Sequence, residues 1–176
     1  KEYSNKILQQ SQRAMQSTAD FKDIVPTIVK MPAIESFYIR NKGYNVNIKE
    51  TWQKLQTWVL TNNIKSYRRI ALFHDNPTIT PLNECQYIGC IVVDDKEKVK
   101  SDRLPNFKIA EGVYARFDIK GHTGDVLPFI HWVYHEWLPK SEYETTTKPS
   151  YAIYKKLAFF DENNEFELSF YVSINF

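Results

Sequence analysis

The sequence predicts an α+β fold built from duplicated βαββ halves. These form a mostly antiparallel, curved sheet with two long helices on one face and a cleft at the join. Three observations predict it. First, the order strand, Lys-Gly turn, tryptophan-bearing helix, strand, loop, strand runs from Phe37 to Val93 and returns from Tyr114 to Ile174. Second, the punctuation repeats: Lys42-Gly43-Tyr44 is echoed by Lys120-Gly121-His122, Trp58 by Trp137, and Asn83-Glu84 by Asn164-Glu165. Third, 176 residues suit one domain, or one domain with an appendage, long enough to bury about two thirds of its unfolded surface without staples. Two copies are too few for a solenoid and suit half-domains that share one core.

In chain order, Lys1–Ala19 reads as a weakly amphipathic helix with Tyr3, Ile7 and Ala14 on one face, interrupted by Ser11. With residues up to 23 it forms an appendage, either a linker from an upstream region or a terminal helix docked on the domain. Residues 24–176 form the domain itself, with repeat one over about 25–93 and repeat two over about 105–176. Asp23–Met31 is a strand rich in β-branched residues with Pro26 near its start, and Ile34–Arg40 is a second strand. Asn41-Lys42-Gly43 turns the chain into a helix from Asn47, where Asn47 and Glu50 suit a capping box. Its apolar face carries Trp52, Leu55, Trp58, Val59 and Leu60, and it ends near Asn62-Asn63. Strands follow at Arg69–His74 and Glu84–Val93, separated by a loop with Pro77 and Pro81. The second strand is apolar on both faces.

After the charged link Asp94–Pro105, Asn106–Ala110 and Val113–Ile119 read as a hairpin around Glu111-Gly112. A helix spans about Gly124–Leu138 and stops at Pro139. A polar connection, Ser141–Lys148, precedes strands near Tyr151–Tyr154 and Phe166–Ile174, the last entered by the turn Asp161-Glu162-Asn163-Asn164.

The formal net charge is +2 and no dense basic run occurs, which argues against nucleic-acid binding by this piece alone. Lys96–Lys100 contains an acid and reads as a solvated loop. Cys85 and Cys90 lie five residues apart on one strand, so they face opposite sides and cannot pair. Free buried thiols fit a reducing compartment, and with neither a signal peptide nor an apolar run of membrane-spanning length, the cytoplasm is the expected location.

Catalytic motifs are sparse. His131 and His135 share a helix face at metal-ligand spacing, but Trp132 stands where the zincin motif needs Glu and no third ligand is evident. Structural or solvent-facing histidines are the simpler reading, and no metal or cofactor is expected. His74-Asp75 could form an oriented base, with only Thr78 and Thr80 nearby as hydroxyls. No G-x-S-x-G elbow occurs, and the five glycines leave no phosphate-cradling loop. The informative feature is 15% aromatic residues placed on inner strands, among them Tyr38, Phe73 and Tyr87 in copy one and Tyr154 and Tyr171 in copy two. Ala152 shares a face with Tyr154, and Glu167 and Ser169 share one with Tyr171. Either these rings are core, or they wall a pocket whose phenols orient a ligand.

Several segments resemble, in order, GyrI-like (gyrase-inhibitor-like) effector-binding domains. These are Tyr38-Ile39-Arg40 followed by Lys42-Gly43-Tyr44, Phe73-His74-Asp75-Asn76-Pro77, Thr80-Pro81, Glu84-Cys85-Gln86-Tyr87, and Glu136-Trp137-Leu138-Pro139-Lys140-Ser141-Glu142-Tyr143-Glu144. The likeness covers about Val25 to Phe176. It implies a duplicated βαββ domain with a small-molecule pocket between the halves, of the kind found C-terminal to the helix-turn-helix region of AraC-type transcription regulators. Lys1–Asp23 then looks like the tail of a linker. The sequence departs from the family at Tyr151-Ala152-Ile153-Tyr154, where the resemblance implies a pocket Glu at Ala152, and at Ser169, where it implies a second acid. Gln86 and Ile88 replace the usual Arg and Asp, and Glu167, on the strand face of Ser169, reads either as a substitute acid or, more simply, as a strand-end surface residue. Loss of both acids points away from cation capture and from catalysis.

The expected function is therefore effector sensing for a transcription regulator, with an apolar or aromatic ligand held by Tyr38, Phe73, Tyr87, Trp137, Ala152, Tyr154, Glu167, Ser169 and Tyr171. The alternatives are a hydrolase of strained small molecules and a protein-binding module acting on a topoisomerase-like partner. Expected partners are a small-molecule effector and DNA, the latter only through a helix-turn-helix region that this chain lacks. A homodimer is left open, and no membrane contact is expected.

Overall fold

The computed structural model describes residues 21–94, 99 and 104–175. The helix expected over Lys1–Ala19 and most of the loop expected at Lys96–Lys100 lie outside the described residues. In chain order the elements are β1 (Thr27–Met31), β2 (Ile34–Lys42), α1 (Ile48–Thr61), β3 (Tyr67–Phe73), β4 (Gln86–Val93), β5 (Asn106–Ile109), β6 (Gly112–His122) and α2 (Val126–Trp132). The second helix continues through a π-helical turn (Val133–Trp137) and a last α-turn (Leu138–Lys140). Then come β7 (Glu144–Thr145), β8 (Ser150–Lys156), a 3₁₀ turn (Ala158–Phe160) and β9 (Glu165–Asn175). Among the described residues no helix is long and apolar enough to cross a membrane.

The sheet is antiparallel throughout, in the order β1-β6-β9-β8-β3-β4-β2-β5, with β7 beside β9. Its curvature makes a half-barrel. The expected hairpin of Asn106–Ala110 with Val113–Ile119 does not form. β5 pairs with β2, from Ile34↔Ile109 to Phe37↔Asn106, and β6 pairs with β1, from Thr27↔Arg116 to Met31↔Gly112. The two ladders keep one continuous register across the break at Pro32-Ala33. Glu111-Gly112 is therefore a bend in one long strand rather than a turn, and β1–β2 with β5–β6 form one bent ribbon. That ribbon spans from one edge of the sheet to the other.

Side-chain alternation divides the interior into two clusters. One face carries Ala71, Phe73, Tyr87, Ala152, Phe117, Phe170 and Val172 against both helices. The other carries Ile70, Leu72, Ile88, Cys90, Tyr114, Tyr151 and Tyr171 beneath the ribbon residues Ile34 and Ile109. Cys85 and Cys90 fall in different clusters, both buried and free, as their spacing requires.

Helix α1 buries Trp52, Leu55, Trp58 and Val59, but Leu60 is one step out of phase and 67% exposed. Its start also differs from the capping-box expectation. Asn47 adopts a left-handed conformation (φ 60°), and its side chain caps nothing; Asn tolerates that geometry better than most residues. The helix lies close on β4 because Gly89 has no side chain. A Cβ there would sit 2.8 Å from Leu55 Cδ1 and 3.2 Å from Thr51 Cγ2. The second helix passes through Pro139 instead of stopping at it. The π-turn, in which the Leu138 N–H reaches the Val133 carbonyl, moves aside the backbone that a proline ring would strike.

Phe117 is fully buried, with its ring 5.7 Å from Phe129, 6.2 Å from Trp132 and 4.9 Å from Trp137, all edge-on. Phe117→Ala is expected to cost about 3–5 kcal/mol in chemical denaturation. Leu60→Ala, on the exposed side of α1, should change stability by no more than about 0.5 kcal/mol.

Candidate functional site

Helix α1 follows β2 and the second helix follows β6. These strands run in opposite directions, so the helices start from opposite ends of the sheet. Between their first turns lies a cavity of about 510 Å³. Its floor is Phe73 from β3, Tyr87 from β4 and Tyr154 from β8, with Tyr44 beside them. Asn47–Glu50 form one wall, Val126 and Leu127 the opposite one, and Leu157–Phe159 with Phe166 a third. The cavity thus lies on the helix-bearing face. The opposite face, expected to curve around a cleft, is filled by the second apolar cluster.

Three of the expected residues, Phe73, Tyr87 and Tyr154, meet at this cavity. The others lie elsewhere. Ala152 is on the same face but fully buried in the core between β3 and β9. Tyr38 packs edge-on against Phe107, and Tyr171 stacks on Tyr151 at 4.8 Å, both on the opposite face. Ser169 donates to the Asp118 carboxylate and Glu167 approaches Lys155 at 3.8 Å, again on that face. Trp137 borders a separate outer groove between the second helix and Phe21–Pro26.

Sequence reasoning missed Tyr44, the first turn of α1 and the Leu157–Phe159 segment. Tyr44 had a signal, because Gly43 (φ +103°) turns the chain sharply and its N–H is held by the Cys85 carbonyl at 2.7 Å. The residue after that turn is thereby aimed inward. The 3₁₀ segment carries no comparable pattern.

The polar groups of the floor are tightly engaged. The Tyr44 hydroxyl donates to the Asp75 carbonyl at 2.7 Å and accepts from the Asp75 N–H at 2.8 Å. The Trp52 indole N–H donates to the Tyr87 hydroxyl at 2.8 Å, and the Tyr154 ring stands edge-on to Trp52 at 6.1 Å. The rings meet edge-on, Tyr44 to Phe73 at 5.3 Å and Phe73 to Tyr87 at 5.4 Å. Burial raises the pKa values of Tyr44, Tyr87 and Tyr154, so all three stay neutral. Of the lining residues the one acid is Glu50, exposed on α1 beside Lys49.

The other candidate chemistry takes structural roles. The Asp75 carboxylate accepts the Gln86 backbone N–H at 2.6 Å, which ties down the β3–β4 connection instead of orienting His74. Burial pushes the Cys85 thiol up to about 12. The rings of His131 and His135 lie 5.1 Å apart, and burial with His135 lowers the pKa of His131. No group of three metal-ligating side chains occurs among the described residues.

A family model described as a GyrI-like small molecule binding domain matches residues 25–174. No curated protein sequence matches the chain significantly. Among solved structures, the C-terminal domain of EcmrR is similar with a TM-score of 0.63 at 13% identity, covering 87% of this chain and 98% of that one. An EcmrR–DNA complex is similar with a TM-score of 0.68 at 14% identity, over 98% of this chain and 63% of that one. A hydrolase from Listeria innocua is similar with a TM-score of 0.59 at 9% identity, over 96% of this chain and 98% of that one. At these identities the likeness is one of fold.

The buried phenols set an alkaline limit. Their folded pKa values are raised, so their contribution to stability is intact below about pH 10, the unfolded value, and is lost as pH rises beyond it. In a spectrophotometric titration, the phenolate signal of the folded protein should lag that of the denatured chain. The missing signal should appear together with loss of circular dichroism.

Proposed function

Because the chain belongs to the GyrI-like small molecule binding domain family, we propose that it is the effector-sensing domain of a transcription regulator and binds an apolar or aromatic molecule between its two helices. The observation that carries this is the cavity itself. About 510 Å³ falls within the range of small-molecule sites, and its walls are mostly aromatic and aliphatic.

We read the domain as two βαββ halves, β2–α1–β3–β4 and β6–α2–β8–β9, meeting at the β3–β8 pair. The strand order supports this, with β4 and β2 following β3 on one side and β9 and β6 following β8 on the other. The cavity draws Phe73 and Tyr87 from one half and Tyr154, Leu157 and Phe166 from the other. A ligand there would favour one arrangement of the halves. Residues 1–23 would pass that bias to a DNA-binding region of AraC type, in the cytoplasm. The similarity to an EcmrR–DNA complex, of whose chain this one spans 63%, supports that setting.

Binding rather than turnover is the reading supported by the placement of acids. Ala152 supplies no carboxylate, while Glu167 and Ser169 stand on the face away from the cavity. Fold likeness to a hydrolase is outweighed by this arrangement, since function resides in the site and not in the fold.

A thermal-shift screen of uncharged aromatic compounds should find several that raise Tm. Leu127→Trp, which places a large ring at the half-buried cavity wall, should weaken them by at least about tenfold, or about 1.4 kcal/mol, while the unliganded Tm stays within a few degrees. A screen in which no compound shifts Tm, or in which Leu127→Trp changes nothing, would contradict the assignment.

A further inference from the structure

We propose that Phe21 is the contact through which occupancy of the cavity is passed to residues 1–20: a ligand that fixes the start of α2 also holds the Phe21 turn against that helix. This rests on the reading of the cavity as the ligand site and names the place where that site meets the N-terminal segment.

One short helix carries both ends of the coupling. Val126 and Leu127, in the first turn of α2, form a wall of the cavity. Phe129 and Trp132, in the next turn, seat the Phe21 ring at centroid distances of 5.4 and 6.0 Å. Val126 and Phe129 are three residues apart and therefore neighbours on the helix surface. The π-turn begins only at Val133, so wall and seat belong to the same seven-residue α-helical piece. A shift or stiffening of the wall reaches the seat within two turns.

A second route joins the same two places through the sheet. The Phe129 ring is edge-on to Phe170 at 5.7 Å, and Phe170 is edge-on to Phe73 of the cavity floor at 5.9 Å. Phe129 and Phe170 are 1% exposed and Phe73 3%, so none of these rings can reorient without its neighbours. Phe21 is the fourth ring of this continuous row, and the one that can leave it. It is half-buried, and it is followed by Lys22 and Asp23, both exposed, and by Val25 at 84% exposure. The Ile24 N–H donates to the Phe21 carbonyl at 3.1 Å and closes a single turn. Beyond that turn lies the outer groove, about 700 Å³, with Ile24 and Val25 on one side and Trp132 and Trp137 on the other. The turn is packed at Phe21 and open past it, which gives a docked and a released state.

A ligand that touches Phe73 and Leu127 together makes contacts that exist only while α2 sits in place over the floor. It therefore favours the docked state, and by linkage the docked state favours the ligand to the same extent. Phe21 does not line the cavity, so an effect of its removal on ligand affinity is coupling and not lost contact.

Benzophenone, an uncharged two-ring probe, tests this on the whole chain. Its affinity is measured by isothermal titration calorimetry, and hydrogen exchange of the Ile24 amide is followed by NMR. Phe21→Ala should weaken benzophenone by about fivefold, and saturating benzophenone should slow Ile24 exchange in the wild-type chain by a similar factor, because linkage is reciprocal. In Leu127→Trp, which crowds the cavity wall, binding and the slowing of exchange should fall together. Ile34→Ala removes a buried side chain from the opposite face. It should lower Tm and leave the benzophenone affinity unchanged. If benzophenone binds Phe21→Ala as tightly as wild type and leaves Ile24 exchange unaltered, the cavity still binds ligands but the coupling is overturned. If Ile34→Ala weakens binding as much as Phe21→Ala does, the effect is one of general stability and the coupling is likewise overturned. If benzophenone does not bind the wild-type chain, the reading of the cavity as a ligand site falls, and the coupling with it.

Discussion

The pairing of β3 with β8 is the constraint on which the site depends. Arg69↔Tyr154 through Phe73↔Ser150 is an antiparallel ladder with Ala71 opposite Ala152 at its centre. Side chains alternate along a strand, so this register puts Phe73 and Tyr154 on the same face. A slip of one residue would carry Tyr154 to the other face, away from Trp52 and the cavity floor. The register is held because both faces are buried. Ile70, Leu72, Tyr151 and Ile153 pack on one side, and Ala71, Phe73, Ala152 and Tyr154 on the other.

The small residues in this ladder explain where the cavity lies. Gly89, Ala71 and Ala152 are successive cross-strand neighbours, and Phe170 continues the row beyond Ala152. Helix α1 drops onto the glycine end of that row, and the rings of Phe117, Phe129 and Phe170 fill the far end. Because the helices begin at opposite ends of the sheet, their first turns face each other across the phenol floor and leave it uncovered. On the other face the bent ribbon of β1–β2 with β5–β6 brings Ile34 and Ile109 over the sheet, and that side closes into solid core.

The electrostatic character of the site follows from how its polar groups are spent. Asp75 and Tyr44 fasten the turn region to each other and to the backbone of β4. Ser169, Asp118, Glu167 and Lys155 satisfy one another on the outer surface of β6, β8 and β9. No lining carboxylate remains except Glu50 at the rim, and burial keeps the floor phenols protonated. Such a site is dominated by aromatic and aliphatic surface, with its charged side chains, Lys49 and Glu50, exposed at the rim.

Much of this was legible in the chain itself. Alternating and helical periodicities located most of the strands and both helices, because burial against one neighbour imposes those periods on any sequence that folds. The spacing of Cys85 and Cys90 fixed their separation onto two faces, and Phe73, Tyr87 and Tyr154 were legible as ring-bearing positions on inner strands. What pattern could not supply was partnership. Glu111-Gly112 reads as a hairpin turn until β5 is seen to pair with β2. Asn47 reads as a cap until its backbone turns left-handed. Tyr38 and Tyr171 are as aromatic and as well placed in sequence as Tyr154, yet they face the closed side. Local periodicity is set by one element and its solvent. Which face carries the helices, where small residues leave space, and which rings meet at the cavity depend on contacts between residues far apart in the chain, and those only the tertiary structure decides.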